Sequence, residues 1–157
     1  MNKHNHLTVI LLALVFQVLG ALYYGPIGFG PVWLSGQGFT PEQNIASRLG
    51  AEPFIYGLIG AIGLCYFISE RIHKSNATTL KEGVQTGAMF FFGAACVLAI
   101  RFKFLGVATS VLLIDLGFTA LTLTLIGGVL AFVRGRSLSA LKKKSEAVNL
   151  ETLAAQS

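Results

Sequence analysis

Asp115 is the side chain whose position most strongly suggests chemistry, because it is the only ionisable residue in the apolar run from 105 to 133. An ionisable group inside a membrane span is costly, commonly faces the bundle interior and often marks a proton or cation site. Thr119 and Thr122 follow at helical spacing and share one face with it. Gln17 and Arg101 could reach the same region. These five residues form the candidate polar intramembrane site.

A structural role for the same residues is the alternative. An ion pair or hydrogen bond from Asp115 could fix its helix against a neighbour, and the sequence favours this role over a transport site. A lone amide such as Gln17 usually makes an interhelical hydrogen bond in a membrane.

Glu70 and His73 form a second pair of chemical interest. Their Glu-x-x-His spacing places both side chains on one helical face, as carboxylate-bridged metal sites require. His4 and His6 lie on the same predicted side, but the sequence has no second Glu-x-x-His pair. A solvated helix end with an intrahelical ion pair is therefore favoured over a metal site.

Enzyme function is the weakest class. The sequence contains no nucleophile elbow, phosphate-binding loop or dinucleotide fingerprint. We predict no catalytic residue, no metal ligand and no cofactor.

The composition is that of an integral membrane protein. Of 157 residues, 54% are hydrophobic and 12% charged, and the mean hydropathy is +0.68; the apolar content exceeds ordinary soluble usage. The net charge of +5 does not indicate nucleic-acid binding, since the basic residues flank apolar runs. The expected partners are the lipid bilayer and either a second copy or another membrane protein.

Four apolar runs predict an all-α bundle of membrane-spanning helices. The predicted spans lie at about residues 7–24, 53–69, 82–100 and 107–133, so that 1–133 form one four-span domain and 134–157 a basic cytoplasmic tail. A capping box at Thr79–Glu82 starts the third span, and a similar signal at Thr40–Gln43 predicts a short surface helix at 41–49. The Gly83–Gly87 pair predicts close helix packing.

The first span ends in aromatics, glycines and prolines. Pro26 biases Gly25 away from helical geometry, so the helix should end near Tyr24. One interpretation, which is favoured, is an aromatic belt at the headgroups followed by a loop, with Phe29 and Trp33 in the belt. The other is a close-packed turn that dips back towards the bundle.

The distribution of basic residues predicts the topology. The first side of the membrane holds nine of them, and the second side holds three. The nine are Lys3, Arg71, Lys74, Lys81, Arg134, Arg136, Lys142, Lys143 and Lys144, and the three are Arg48, Arg101 and Lys103. The positive-inside rule then places both termini in the cytoplasm, with the protein in the inner membrane and the aromatic loop outside.

Two stretches carry a family resemblance. The first is Gly20–Pro26 with Phe29, Gly30 and Trp33, and the second is Leu113–Phe118, where an acidic residue precedes a Gly-aromatic pair. Both resemble the bacterial four-span membrane family called domain of unknown function 1761, and the likeness extends to about Val133. Its loop motif corresponds here to Tyr24, Gly25, Pro26, Phe29, Gly30 and Trp33. Gly25 replaces a common serine and Gly30-Pro31-Val32 departs from the usual spacing before tryptophan. The resemblance implies no activity.

Two functions remain open. The favoured one is a small structural or accessory membrane component. The alternative is an ion or small-molecule transporter or channel subunit, with Asp115 and Gln17 lining a polar cavity and the loop at 25–33 as its outer gate.

Overall fold

The computed structural model describes residues 5–38 and 51–154. Within these ranges the chain forms helices and no strand. The helices are α1 (His6–Tyr23), α2 (Gly30–Gly36), α3 (Glu52–Lys74), α4 (Leu80–Phe104) and α5 (Thr109–Ala154). The predicted surface helix at 41–49 lies outside the described residues.

Four of the helices, all except α2, are long and apolar enough to cross a membrane. In α1, α3 and α4, only 17% of the most apolar window is buried inside the bundle. Large apolar side chains therefore point outwards: Leu22, Phe67 and Phe92 are 67%, 71% and 68% exposed. An apolar surface this extensive is what lipid, and not water, would cover. The predicted all-α bundle is confirmed.

The capping signals fix where the helices begin. Asn5 Oδ1 accepts a hydrogen bond from the Thr8 amide at 3.2 Å and caps α1. At α4, the Glu82 amide donates to Thr79 Oγ1, and Glu82 Oε2 accepts from the Thr79 amide. The predicted capping box is therefore present, and it satisfies amides that have no partner within the helix.

Helices α4 and α5 form a tight antiparallel hairpin with the most extensive interface in the bundle. Gly106, at φ +66°, makes the turn between them in a conformation that favours glycine. Along the interface the backbone of Gly83 touches that of Gly127, and Gly87 lies against the carbonyl of Leu123. The close packing predicted from the Gly83–Gly87 spacing is observed.

The core lies between α1, α3 and α5. It includes Val9, Cys65, Ile68 and Ile126, all at most 2% exposed.

At one end, Arg134 Nη1 donates to the Ala77 carbonyl at 2.8 Å, and His6 Nδ1 lies 2.8 Å from the Tyr66 hydroxyl. We call this the Arg134 end. The opposite end, where α1 finishes and α5 begins, is the Asp115 end. The start of α1, the α3–α4 connection and residue 134 thus share one end, as the predicted topology requires.

Helix α5 continues well past the predicted span at 107–133. It has 46 residues and runs through the basic segment without interruption. A helix satisfies its own backbone hydrogen bonds, so it can persist where the side chains become polar. An i,i+4 contact of 4.0 Å between Lys142 and Glu146 lies on this extension.

Candidate functional site at the Asp115 end

Asp115 lies in the second turn of α5 and is half-buried. Its Oδ1 atom accepts two hydrogen bonds, one from the Tyr24 hydroxyl at 2.6 Å and one from the Trp33 indole Nε1 at 2.9 Å. Short bonds to an ionised acceptor are about twice as strong as bonds between neutral groups. One carboxylate oxygen therefore holds two segments that are distant in sequence.

The turn after α1 brings Tyr24 and Trp33 to this oxygen. The chain turns tightly over 24–29, with the Phe29 amide donating to the Tyr23 carbonyl at 2.7 Å. β-Carbons on Gly28 and Gly30 would collide with the carbonyl oxygens of Tyr23 and Tyr24. The turn after α1 is therefore closely packed.

The segment from Gly30 onwards is a short helix, whereas the sequence interpretation made it part of a loop through Trp33. Pro31 occupies the first turn of α2, where a missing amide costs nothing, and the Trp33 amide donates to the Phe29 carbonyl at 2.9 Å. Gly36, at the far end of α2, lies against Val111 of α5. Helix α2 thus packs along the beginning of α5 and presents Trp33 to Asp115.

Aromatic rings surround this contact. Phe118, one turn after Asp115, lies 5.2 Å from the ring centroids of both Tyr23 and Tyr24 and 5.3 Å from that of Phe16. The Tyr24 and Trp33 rings meet edge to face at 5.2 Å. Such edge-to-face pairs contribute about 0.5–1.5 kcal/mol beyond burial. We call Tyr23, Tyr24, Phe29, Trp33, Asp115 and Phe118 the Asp115 cluster.

Gly117 makes room for the cluster. A β-carbon on this residue would lie 2.8 Å from the Tyr23 hydroxyl oxygen. The Tyr23 hydroxyl uses this space to donate to the Ile114 carbonyl at 3.1 Å. In the Gly-aromatic pair after Asp115, Gly117 therefore leaves space for the Tyr23 hydroxyl, and Phe118 provides one aromatic ring of the cluster.

The other predicted site residues do not reach the carboxylate. Gln17 Nε2 donates to the Phe54 carbonyl at 2.6 Å and so links α1 to α3, the interhelical hydrogen bond expected of it. Arg101 is exposed in the last turn of α4. Thr119 donates to the Asp115 carbonyl at 2.6 Å, and Thr122 to the Phe118 carbonyl at 2.7 Å. Among the described residues, the carboxylate bonds only Tyr24 and Trp33.

Sequence reasoning named Tyr24 and Trp33 as loop aromatics and Asp115 as a polar intramembrane residue, but it did not join them. It also gave no site role to Tyr23 or Phe118. One signal could have made the connection: the family resemblance concentrates in two stretches, and these are the two that meet at the cluster.

The Glu-x-x-His pair lies in the last turns of α3, at the Arg134 end. Glu70 lies 3.5 Å from Lys74, the intrahelical ion pair predicted for this helix end. Within residues 5–38 and 51–154, no three His, Cys, Asp or Glu side chains group in a way that could hold a metal ion. His4 falls outside these ranges.

The cluster leaves one acceptor available. In the part of the chain that the structure describes, Asp115 Oδ2 accepts no hydrogen bond, since both donors reach Oδ1. A carboxylate held in this way can stabilise its surroundings through one oxygen and still accept a proton or a further donor at the other.

The class of this protein is a helix bundle with four helices that could cross a membrane. Its Asp115 end carries the aromatic–carboxylate cluster. The chain belongs to the family described as "Protein of unknown function (DUF1761)", whose model matches residues 7–131. Comparisons with curated proteins and with solved structures give no match.

Proposed function

We propose that this protein is a structural or accessory component of a membrane, and that Asp115 serves to hold the α1–α2 segment on the bundle. The observation that carries the proposal is the double hydrogen bond at Asp115 Oδ1. Its donors, Tyr24 and Trp33, are 91 and 82 residues away in sequence. A group engaged in this way is placed to fix tertiary structure.

The surroundings support the structural role. Aromatic rings pack around the carboxylate, and Gly117 leaves the space that the Tyr23 hydroxyl occupies. Thr119 and Thr122 line a cavity of about 560 Å³, but their hydroxyls donate to carbonyls of their own helix, and the rest of the lining is apolar. A polar pathway from Asp115 into the bundle would need further polar groups in this lining.

The partner of an accessory protein would meet its outward faces. β-Carbons on Gly60 and Gly63 of α3 would have no described atom within 4 Å. Small residues let helices approach closely in lipid, so this face suits a second copy or another membrane protein. Cross-linking in membranes tests this, with Gly60→Leu expected to reduce the cross-linked species.

A transporter or channel subunit is the second candidate. The observation in its favour is Asp115 Oδ2, to which the described residues supply no hydrogen bond, on a side chain that is only half-buried. Transport would require the Asp115 cluster to open, with α2 and the turn before it acting as the outer gate.

Flux through liposomes separates the two functions. Purified protein is reconstituted, and leak of protons and small cations is measured for the wild type and for Asp115→Asn, whose side chain keeps nearly the same shape. The structural role predicts the same flux as in protein-free liposomes for both proteins. Wild-type flux that disappears in a folded Asp115→Asn variant would establish transport instead.

We further propose that the protein lies in the inner membrane of a bacterium with both termini in the cytoplasm. The support is the excess of basic residues on the side that carries the tail, together with the shared position of the α1 start, the α3–α4 connection and Arg134.

A further inference from the structure

A cavity of about 770 Å³ lies at the Arg134 end, between the start of α1, the last turns of α3 and the middle of α5. Its volume is within the range of pockets that hold small ligands. It lies at the opposite end of the bundle from the Asp115 cluster, so a ligand bound in it is independent of the role of Asp115.

The polar part of the lining is cationic or neutral. It includes Arg134, His73 and Ser137, and none of the residues that line the cavity is Asp or Glu. The nearby Glu70 carboxylate lies 3.5 Å from Lys74. An anion entering here therefore meets a guanidinium with no lining carboxylate to oppose it.

Arg134 is held in place at the cavity. Nη1 donates to the Ala77 carbonyl at 2.8 Å and Nη2 to Asn76 Oδ1 at 3.1 Å. A guanidinium has five N–H donors, so these two bonds leave others for an anion. A cation already fixed by the fold loses less conformational entropy on binding than a free one.

The remaining lining is apolar and includes Leu7, Leu130 and Leu138. The cavity thus combines a fixed cation with hydrocarbon walls at the end of a bundle whose outer surface suits lipid. That combination matches an amphiphile with an anionic head, and basic pockets between membrane helices bind phospholipid headgroups.

We propose that this cavity binds the headgroup of an anionic phospholipid, with its phosphate at the Arg134 guanidinium and its glycerol region against the leucines. A free phosphate would satisfy the cation but leave the apolar walls uncovered, so the bilayer is the source to which the geometry points.

The test measures phosphatidylglycerol and phosphatidylcholine binding to the detergent-purified protein by native mass spectrometry, with inorganic phosphate as the soluble competitor. We expect phosphatidylglycerol to bind more tightly. Arg134→Gln should weaken its binding about fivefold, the effect of removing one nearby charge. Arg136→Gln is the matched control: it removes the same charge from a side chain that stacks on Phe132, 4.8 Å from the ring centroid, and does not line this cavity.

A second variant is needed because Arg134 also bonds Ala77 and Asn76, so that Arg134→Gln could weaken lipid binding by disturbing the fold. Ser137→Phe places a ring at the cavity wall and retains the Arg134 charge and its bonds to Ala77 and Asn76, because Ser137 is exposed and bonds only the Val133 carbonyl of its own helix. It should weaken phosphatidylglycerol binding as well. Equal binding of the two lipids, an equal effect of Arg136→Gln, unchanged binding in folded Ser137→Phe, or complete competition by inorganic phosphate would each overturn the proposal.

Discussion

At the scale of single residues, the most consequential atom is Asp115 Oδ1. Two aromatic donors converge on it, so the charge of one carboxylate supports contacts from both α2 and the end of α1. The neighbouring Gly117 contributes space, because it has no side chain to displace the Tyr23 hydroxyl. Charge and space at the Asp115 end can therefore be tested separately.

Replacing Asp115 by Asn keeps an acceptor oxygen but removes its charge. We expect a loss of about 1–2 kcal/mol in the free energy of unfolding, because two charge-assisted hydrogen bonds become neutral ones. Unfolding can be followed by the fluorescence of Trp33, the only tryptophan and itself a donor to the site. The control is Glu146→Gln, which removes a carboxylate from the exposed extension of α5. Equal stability of the two variants would exclude the anchoring role.

Replacing Gly117 by Ala tests the space beside the carboxylate. The new β-carbon would approach the Tyr23 hydroxyl to 2.8 Å, so the hydroxyl must move away from the Ile114 carbonyl. We expect about 1–2 kcal/mol of destabilisation, within the usual cost of overpacking. Gly93→Ala is the control, because its β-carbon meets no described atom within 4 Å. A Gly117→Ala protein as stable as this control would show that the gap is not required.

At the scale of elements, the α4–α5 hairpin provides the frame on which the rest of the bundle assembles. The glycines of α4 bring the two backbones into contact, and Gly106 sets the turn that keeps the helices antiparallel. The obstacle to any larger residue in this interface is main chain, which cannot rotate aside as a side chain can.

Gly87→Ala should therefore destabilise the protein by about 2–3 kcal/mol, towards the upper end of overpacking costs. Its β-carbon would collide with the carbonyl of Leu123. Gly93→Ala, on the same helix but with open space around it, should be neutral or slightly stabilising, since alanine is the better helix former. Chemical denaturation of the two variants in detergent measures the difference, and similar midpoints would contradict the backbone contact.

Local signals predicted the elements well because helix starts and apolar runs depend on neighbouring residues. The capping box at Thr79 and the glycine pair at Gly83 acted as their patterns indicate. The partners of Asp115 could not be predicted in this way, because they depend on the close-packed turn after α1 and on the short helix that follows it. The uninterrupted length of α5 could not be predicted either, since apolarity ends at Val133 while backbone hydrogen bonding does not.

At the scale of the whole molecule, the bundle has two dissimilar ends, one closed by aromatic rings and one carrying a basic helix. A reporter that fluoresces only in the cytoplasm should be active when fused after Ser157, and a phosphatase active only outside should be silent there. A fusion of each reporter within 41–49 should give the reverse pattern. The opposite results would invert the proposed orientation.

The length of α5 separates its basic residues into two electrostatic classes. Lys142 lies eight residues beyond Arg134, or about 12 Å along a helix. In physiological salt the Debye length is about 8 Å. If α5 continues straight out of the membrane in the proposed orientation, Arg134 stays within range of the bilayer's charge, whereas Lys142, Lys143 and Lys144 are screened from it and present their charge to the aqueous phase.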